Sequence, residues 1–142
     1  MKIHKKEAVL SILALSLGLL IYIFFRNGTY IHSLLKIRNS FGFSHLTFFG
    51  SDFIKYYLPD FLWAFSLTNA LMAISNNTKK EVFIIGLIVI VLSIVWELLQ
   101  LFEVVSGTFD FLDCFIDILA VITAVALTTE RKRKGKSYYL FY

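Results

Sequence analysis

Residues 82–102, VFIIGLIVIVLSIVWELLQLF, and residues 111–129, FLDCFIDILAVITAVALTT, are two apolar runs joined by the short segment 103–110, EVVSGTFD. Each run is long enough to cross a hydrocarbon layer of about 30 Å as a helix. The first holds one charged residue, Glu97, and the second holds Asp113 and Asp117. Charges inside such runs are costly to keep and mark functional candidates. The turn between the runs is short, so the two helices are expected as antiparallel neighbours.

Working outward, residues 8–25 and 61–78 are two further runs without any Asp, Glu, Lys or Arg. Hydrophobic residues make up 58% of the chain and the mean hydropathy is +0.73, well above soluble norms. The expected fold is all-α: a polytopic transmembrane bundle, residues 1–142 as one membrane domain, with spans near 8–25, 59–78, 82–102 and 110–129 and a basic tail at 130–142. The runs are continuous rather than alternating, which argues against a β-barrel. The first run is followed by Arg26-Asn27-Gly28 rather than a small-residue cleavage site, so it reads as a retained span. The single cysteine, Cys114, excludes an internal disulfide and a C-x-x-C site, and reads as a packing residue.

Charge sets the expected orientation. Lys2, Lys5, Lys6, Lys79, Lys80, Arg131, Lys132, Arg133, Lys134 and Lys136 fall on one side of a four-span topology, and Arg26, Lys36, Arg38 and Lys55 on the other. The positive-inside rule places both termini in the cytoplasm. Seven of the ten acidic residues, Asp52, Asp60, Glu97, Glu103, Asp110, Asp113 and Asp117, then lie toward the outer face. The basic tail reads as a topology signal and anionic-lipid anchor, with membrane lipids as partners; no motif supports nucleic acid.

The loop at 26–58 is too apolar for free solvent, with Leu34, Leu35, Phe48, Phe49, Phe53, Tyr56 and Tyr57 among its residues. One or two interfacial or re-entrant helices are expected there. His32 and His45 read as solvated, while Arg38 or Arg26 suits a phosphate group by its planar fork of donors. Pro59 suits a first helical turn, where Asp60 meets the positive end of the helix dipole. Asn69, deep in the second span, is expected to bond another helix. Ser11, Ala14, Gly18 and Tyr22 form a small-residue stripe suited to close helix packing.

Helical spacing gathers the acidic residues. Glu97 and Gln100 are three apart and share a face; Asp110, Asp113 and Asp117 form a second narrow face. These carboxylates cannot all stay ionised in a low dielectric without protons, a cation or water. Three readings stand: a divalent-cation site built on Glu97, Asp113 and Asp117, an acid/base pair acting on a head group, or a structural network. P-loop, H-E-x-x-H and G-x-S-x-G motifs are absent. The Asp110-x-x-Asp113-x-x-x-Asp117 run is spaced like that of the CDP-alcohol phosphatidyltransferases but lacks their Gly, Ala and Arg positions.

Glu97-x-x-Gln100 at the end of one span, the turn Gly107-Thr108-Phe109-Asp110, then Asp113 and a small-residue helix together resemble the VanZ-like family of small bacterial membrane proteins, named for a teicoplanin-resistance protein. The resemblance covers roughly residues 58–128; Asp117 stands where that pattern has an asparagine, and Ala120-Val121 where it has a glycine. It implies a polytopic helical fold and cell-envelope work, on glycopeptide response or lipid-linked glycans. The expectation is an outer-leaflet acidic pocket for a lipid-linked envelope molecule. Glu97, Asp113 and Asp117 would act as ligating or proton-handling groups, and Gln100, Asp110, Asp60 and Arg38 would hold the substrate. The competing expectation is a non-enzymatic subunit or assembly factor whose small-residue stripe or 26–58 loop meets a protein partner.

Overall fold

The computed structural model describes residues 3–25, 53–105 and 107–138, with side chains of the last segment described as far as residue 130. Arg26, Lys36, Arg38, His32, His45 and most of the 26–58 loop lie outside the described residues, as does the end of the basic tail. Every described element is helical. Helix α1 is Lys5–Phe25, a π-helical turn at Phe53–Tyr57 runs directly into α2, Leu58–Ile74, and α3 and α4 are Lys79–Leu101 and Phe111–Tyr138.

Three of these are long and apolar enough to cross a membrane: α1, α3 and residues 111–130 of α4. Helix α2 has 17 residues, about 25 Å of rise, and does not reach that length by itself. Expected to end near residue 78, it stops at Ile74 because the next four residues, Ser75-Asn76-Asn77-Thr78, are chain-reversing and capping types. Asn77 takes a left-handed backbone with φ +57°, which asparagine tolerates better than most residues. Thr78 then starts α3 with a reciprocal cap: Glu81 N–H donates to Thr78 Oγ1 at 3.2 Å, and Thr78 N–H donates to Glu81 Oε2 at 3.0 Å. At the other end, α4 runs on through Glu130 to Tyr138 instead of stopping at 129, since Lys, Arg and Glu are good helix formers.

The helices run up, down, up and down. His4 N–H donates to Ala73 O at 2.8 Å, and Gly18 lies against Leu62 and Pro59, so α1 and α2 are antiparallel. Gly86 of α3 lies against Val121 and Val125 of α4. Helix α2 is the hub, packed on α1 at one side and on the α3–α4 pair at the other. Its buried side chains include Ala64, Phe65, Thr68, Met72 and Ala73. The three long helices are the reverse: 17%, 22% and 28% of their most apolar windows is buried, leaving apolar side chains turned outward over most of their surface. That inside-out arrangement suits a hydrocarbon solvent.

The stripe of α1 meets α2: Ser66 Oγ donates to Ser11 O at 2.9 Å and lies 3.1 Å from Ser11 Oγ. One expectation about a polar residue changes. Asn69 does not bond another helix. Its Nδ2 donates to Phe65 O of its own helix at 2.8 Å, and its Oδ1 is buried with no partner.

Candidate functional site

The antiparallel order brings four ends together: the last turns of α1 and α3 and the first turns of α2 and α4. A cavity of about 500 Å³ opens there. Its walls include Tyr22 from α1, Asp60 and Trp63 from α2, Ser93, Trp96, Glu97 and Gln100 from α3, Gly107 and Thr108 from the turn, and Asp113 and Asp117 from α4. Five residues singled out in the sequence, Asp60 by its place in a first helical turn and Glu97, Gln100, Asp113 and Asp117 by spacing, therefore share one cavity.

The turn that closes the site follows from how α3 ends. Glu103 N–H donates to Gln100 O at 3.0 Å and Val104 N–H to Leu99 O at 2.9 Å. This is a Schellman pattern, with Glu103 in the left-handed position at φ +55°. Gly107 then lies directly on the Gln100 amide. Its φ is +156°, and a Cβ there would sit 2.6 Å from Gln100 Cδ. In the amide orientation that satisfies both its neighbours, the Gln100 oxygen accepts from Trp96 Nε1 and its nitrogen donates to Thr108 O, both at 2.9 Å. Gln100 thus holds an indole and the turn in place, as a positioning group more than a free ligand donor.

Asp110 is placed differently from the other carboxylates. Its Oδ1 accepts from Leu112 N–H at 2.9 Å, the side-chain cap of α4. Its Oδ2 accepts from the Tyr57 hydroxyl at 3.5 Å. Its own N–H donates to Glu97 Oε2 at 3.2 Å, which fixes the Glu97 carboxylate. Asp110 does not line the cavity; it orients Glu97 and joins α3, α4 and the π-helical turn.

Glu97 and Asp117 are 5% and 8% exposed, the deepest carboxylates of the site. The Ser93 hydroxyl faces Asp117, yet Asp117 Oδ1 has no hydrogen-bond partner. Of the described residues, four carboxylates line the cavity and no Lys, Arg or His does. Among the described residues, no three His, Cys, Asp or Glu side chains come together in a way that could hold a metal ion. Glu97, Asp113 and Asp117 share the cavity without forming the ligand set expected of a divalent cation.

Sequence spacing missed Tyr22 and Trp63. Aromatic residues within apolar runs look like core or interfacial side chains, and only the meeting of three helices assigns them here. Trp96 and Ser93 carried a signal, standing one residue before and four before Glu97. No family model matches this chain, and neither the curated proteins nor the solved structures yield a match.

Proposed function

We propose that the chain is a VanZ-like, multi-pass protein of a bacterial cytoplasmic membrane that binds or processes a lipid-linked envelope molecule through the acidic cavity. The supporting observation is the convergence of Asp60, Glu97, Gln100, Asp113 and Asp117, from three helices, on one hollow of about 500 Å³. In this reading α2, lengthened by the π-helical turn to residues 53–74, is the fourth span. Both termini are cytoplasmic, and the cavity faces the outer leaflet, where water reaches its carboxylates. Glu97, oriented by the Asp110 amide, and Asp117, with one oxygen uncommitted, accept hydrogen bonds or protons from the ligand. Asp113 and Asp60 stand beside them in the cavity, and Gln100 keeps the Trp96 wall in position.

The test is complementation of a deletion strain with Glu97→Ala, Asp113→Ala and Asp117→Ala, singly and together. Glycopeptide sensitivity and lipid-linked glycan pools are read beside the amount of protein in the membrane. Loss of complementation at the wild-type amount supports the reading. A fully complementing triple variant contradicts it.

A further inference from the structure

We infer that the end of the bundle opposite the acidic cavity is a binding face for anionic phospholipid, made jointly by the starts of α1 and α3 and the end of α4. The sequence marks the tail at 130–142 as a lipid anchor, and the fold adds the lysines of α1 and α3 to it. This face does not depend on the reading of the cavity.

The packing brings the three ends together. His4 N–H donates to Ala73 O, so α1 begins where α2 ends. Only Ser75-Asn76-Asn77-Thr78 separates α2 from the start of α3. Gly86 of α3 lies against Val121 and Val125 of α4. Lys79, seven residues before Gly86 on an antiparallel neighbour, is then roughly level with Glu130. Helix α4 continues to Tyr138, about 12 Å past that level.

Charge at this end is one-sided. Residues 1–7, 79–81 and 130–138 hold ten basic side chains and three acidic ones, and the other four basic residues of the chain all fall between 26 and 55. Of the three acids, Glu7 is buried and Glu81 accepts from Thr78 N–H in the cap of α3. Lys5, Lys6, Lys79 and Lys80 are exposed. These four lysines do not serve the helices that carry them. They stand in the first turns of α1 and α3, at the positive end of the helix dipole, where a cation is unfavourable. A negative group outside the helices relieves that repulsion.

Depth names the source of the negative group. The apolar part of α4, Phe111–Glu130, rises about 30 Å, the thickness of a hydrocarbon core. Arg131 follows directly, so the basic run starts where hydrocarbon gives way to lipid phosphates. Lys5 and Lys79 open the other two long apolar helices at the same boundary. Each basic residue near an anionic leaflet strengthens attraction about fivefold. A soluble polyanion would meet the overhanging end of α4 first and would not need the lysines of α1 and α3, which lie nearer the bilayer.

The experiment uses native mass spectrometry to measure short-chain phosphatidylglycerol binding to the full chain in nonionic detergent. Short-chain phosphatidylcholine, whose head group is neutral overall, is the comparison probe. Phosphatidylglycerol is expected to bind about tenfold or more tightly, and to lose that advantage as the ammonium acetate concentration rises. Lys79→Gln combined with Lys80→Gln is expected to weaken it about tenfold or more, and so is Arg131→Gln combined with Lys132→Gln. Equal binding of the two lipids by the wild-type chain overturns the inference, and that comparison needs no variant. A loss confined to the α4 variant overturns the shared face and makes the tail the sole anchor. A short single-stranded oligonucleotide that binds more tightly than phosphatidylglycerol overturns lipid as the occupant.

Discussion

Glu103 and Gly107 set the shape of the turn over the site. Glu103 holds a left-handed backbone, φ +55°, at a position where glycine is the usual occupant. Glu103→Gly removes the clash of its Cβ with the backbone and is expected to raise stability by about 1 kcal/mol, read by thermal unfolding. Gly107 behaves oppositely. Gly107→Ala places a Cβ 2.6 Å from Gln100 Cδ, displaces the amide and frees the Trp96 indole. Its expected cost is roughly 1–3 kcal/mol, with a shift in tryptophan emission; unchanged emission contradicts the Trp96–Gln100–Thr108 link. At this scale the sequence was legible where spacing governs. Glu97 and Gln100, and Asp113 and Asp117, are one helical turn apart and do share a cavity. Asp110 also falls on that face by spacing, but it precedes the first helical residue, where an aspartate caps.

Helix α2 organises the bundle, and its small residues decide how closely its neighbours come. The α3–α4 pair depends on Gly86, where a Cβ would meet Val121 Cγ1 at 3.3 Å and Val125 Cγ2 at 3.5 Å. Gly86→Leu forces the helices apart and is expected to cost about 1–3 kcal/mol, measured by chemical unfolding in micelles. A variant of unchanged stability contradicts the close approach. Periodicity revealed all four helices, since long apolar runs announce themselves. It placed their ends less well. Thr78 and Glu81 form the cap that separates α2 from α3, a signal present in the sequence but concealed by the apolar run before it. The bonding of Asn69 to its own helix was not legible, because Ser66, one turn before it, supplies the bond to α1.

Across the whole molecule, composition revealed the membrane class, and the outward-facing apolar surfaces of α1, α3 and α4 agree with it. The site was legible on α2, α3 and α4, the three helices that carry its charges, and not on α1, whose Tyr22 joins only through the antiparallel packing on α2. Asp60, Glu97, Asp113 and Asp117 gather at one end of the bundle, where four helix termini meet. That arrangement leaves Asp117 with a buried oxygen that no part of the fold satisfies. A group kept for a ligand is expected to work against stability, since a buried charge contributes little to a fold and is often improved upon by a neutral side chain. The direct measurement is thermal unfolding of Asp117→Asn beside the wild type, in lipid-free detergent. The expected result is an equal or higher unfolding temperature, together with loss of ligand binding. A clearly lower unfolding temperature contradicts it, and makes Asp117 a structural member of the bundle.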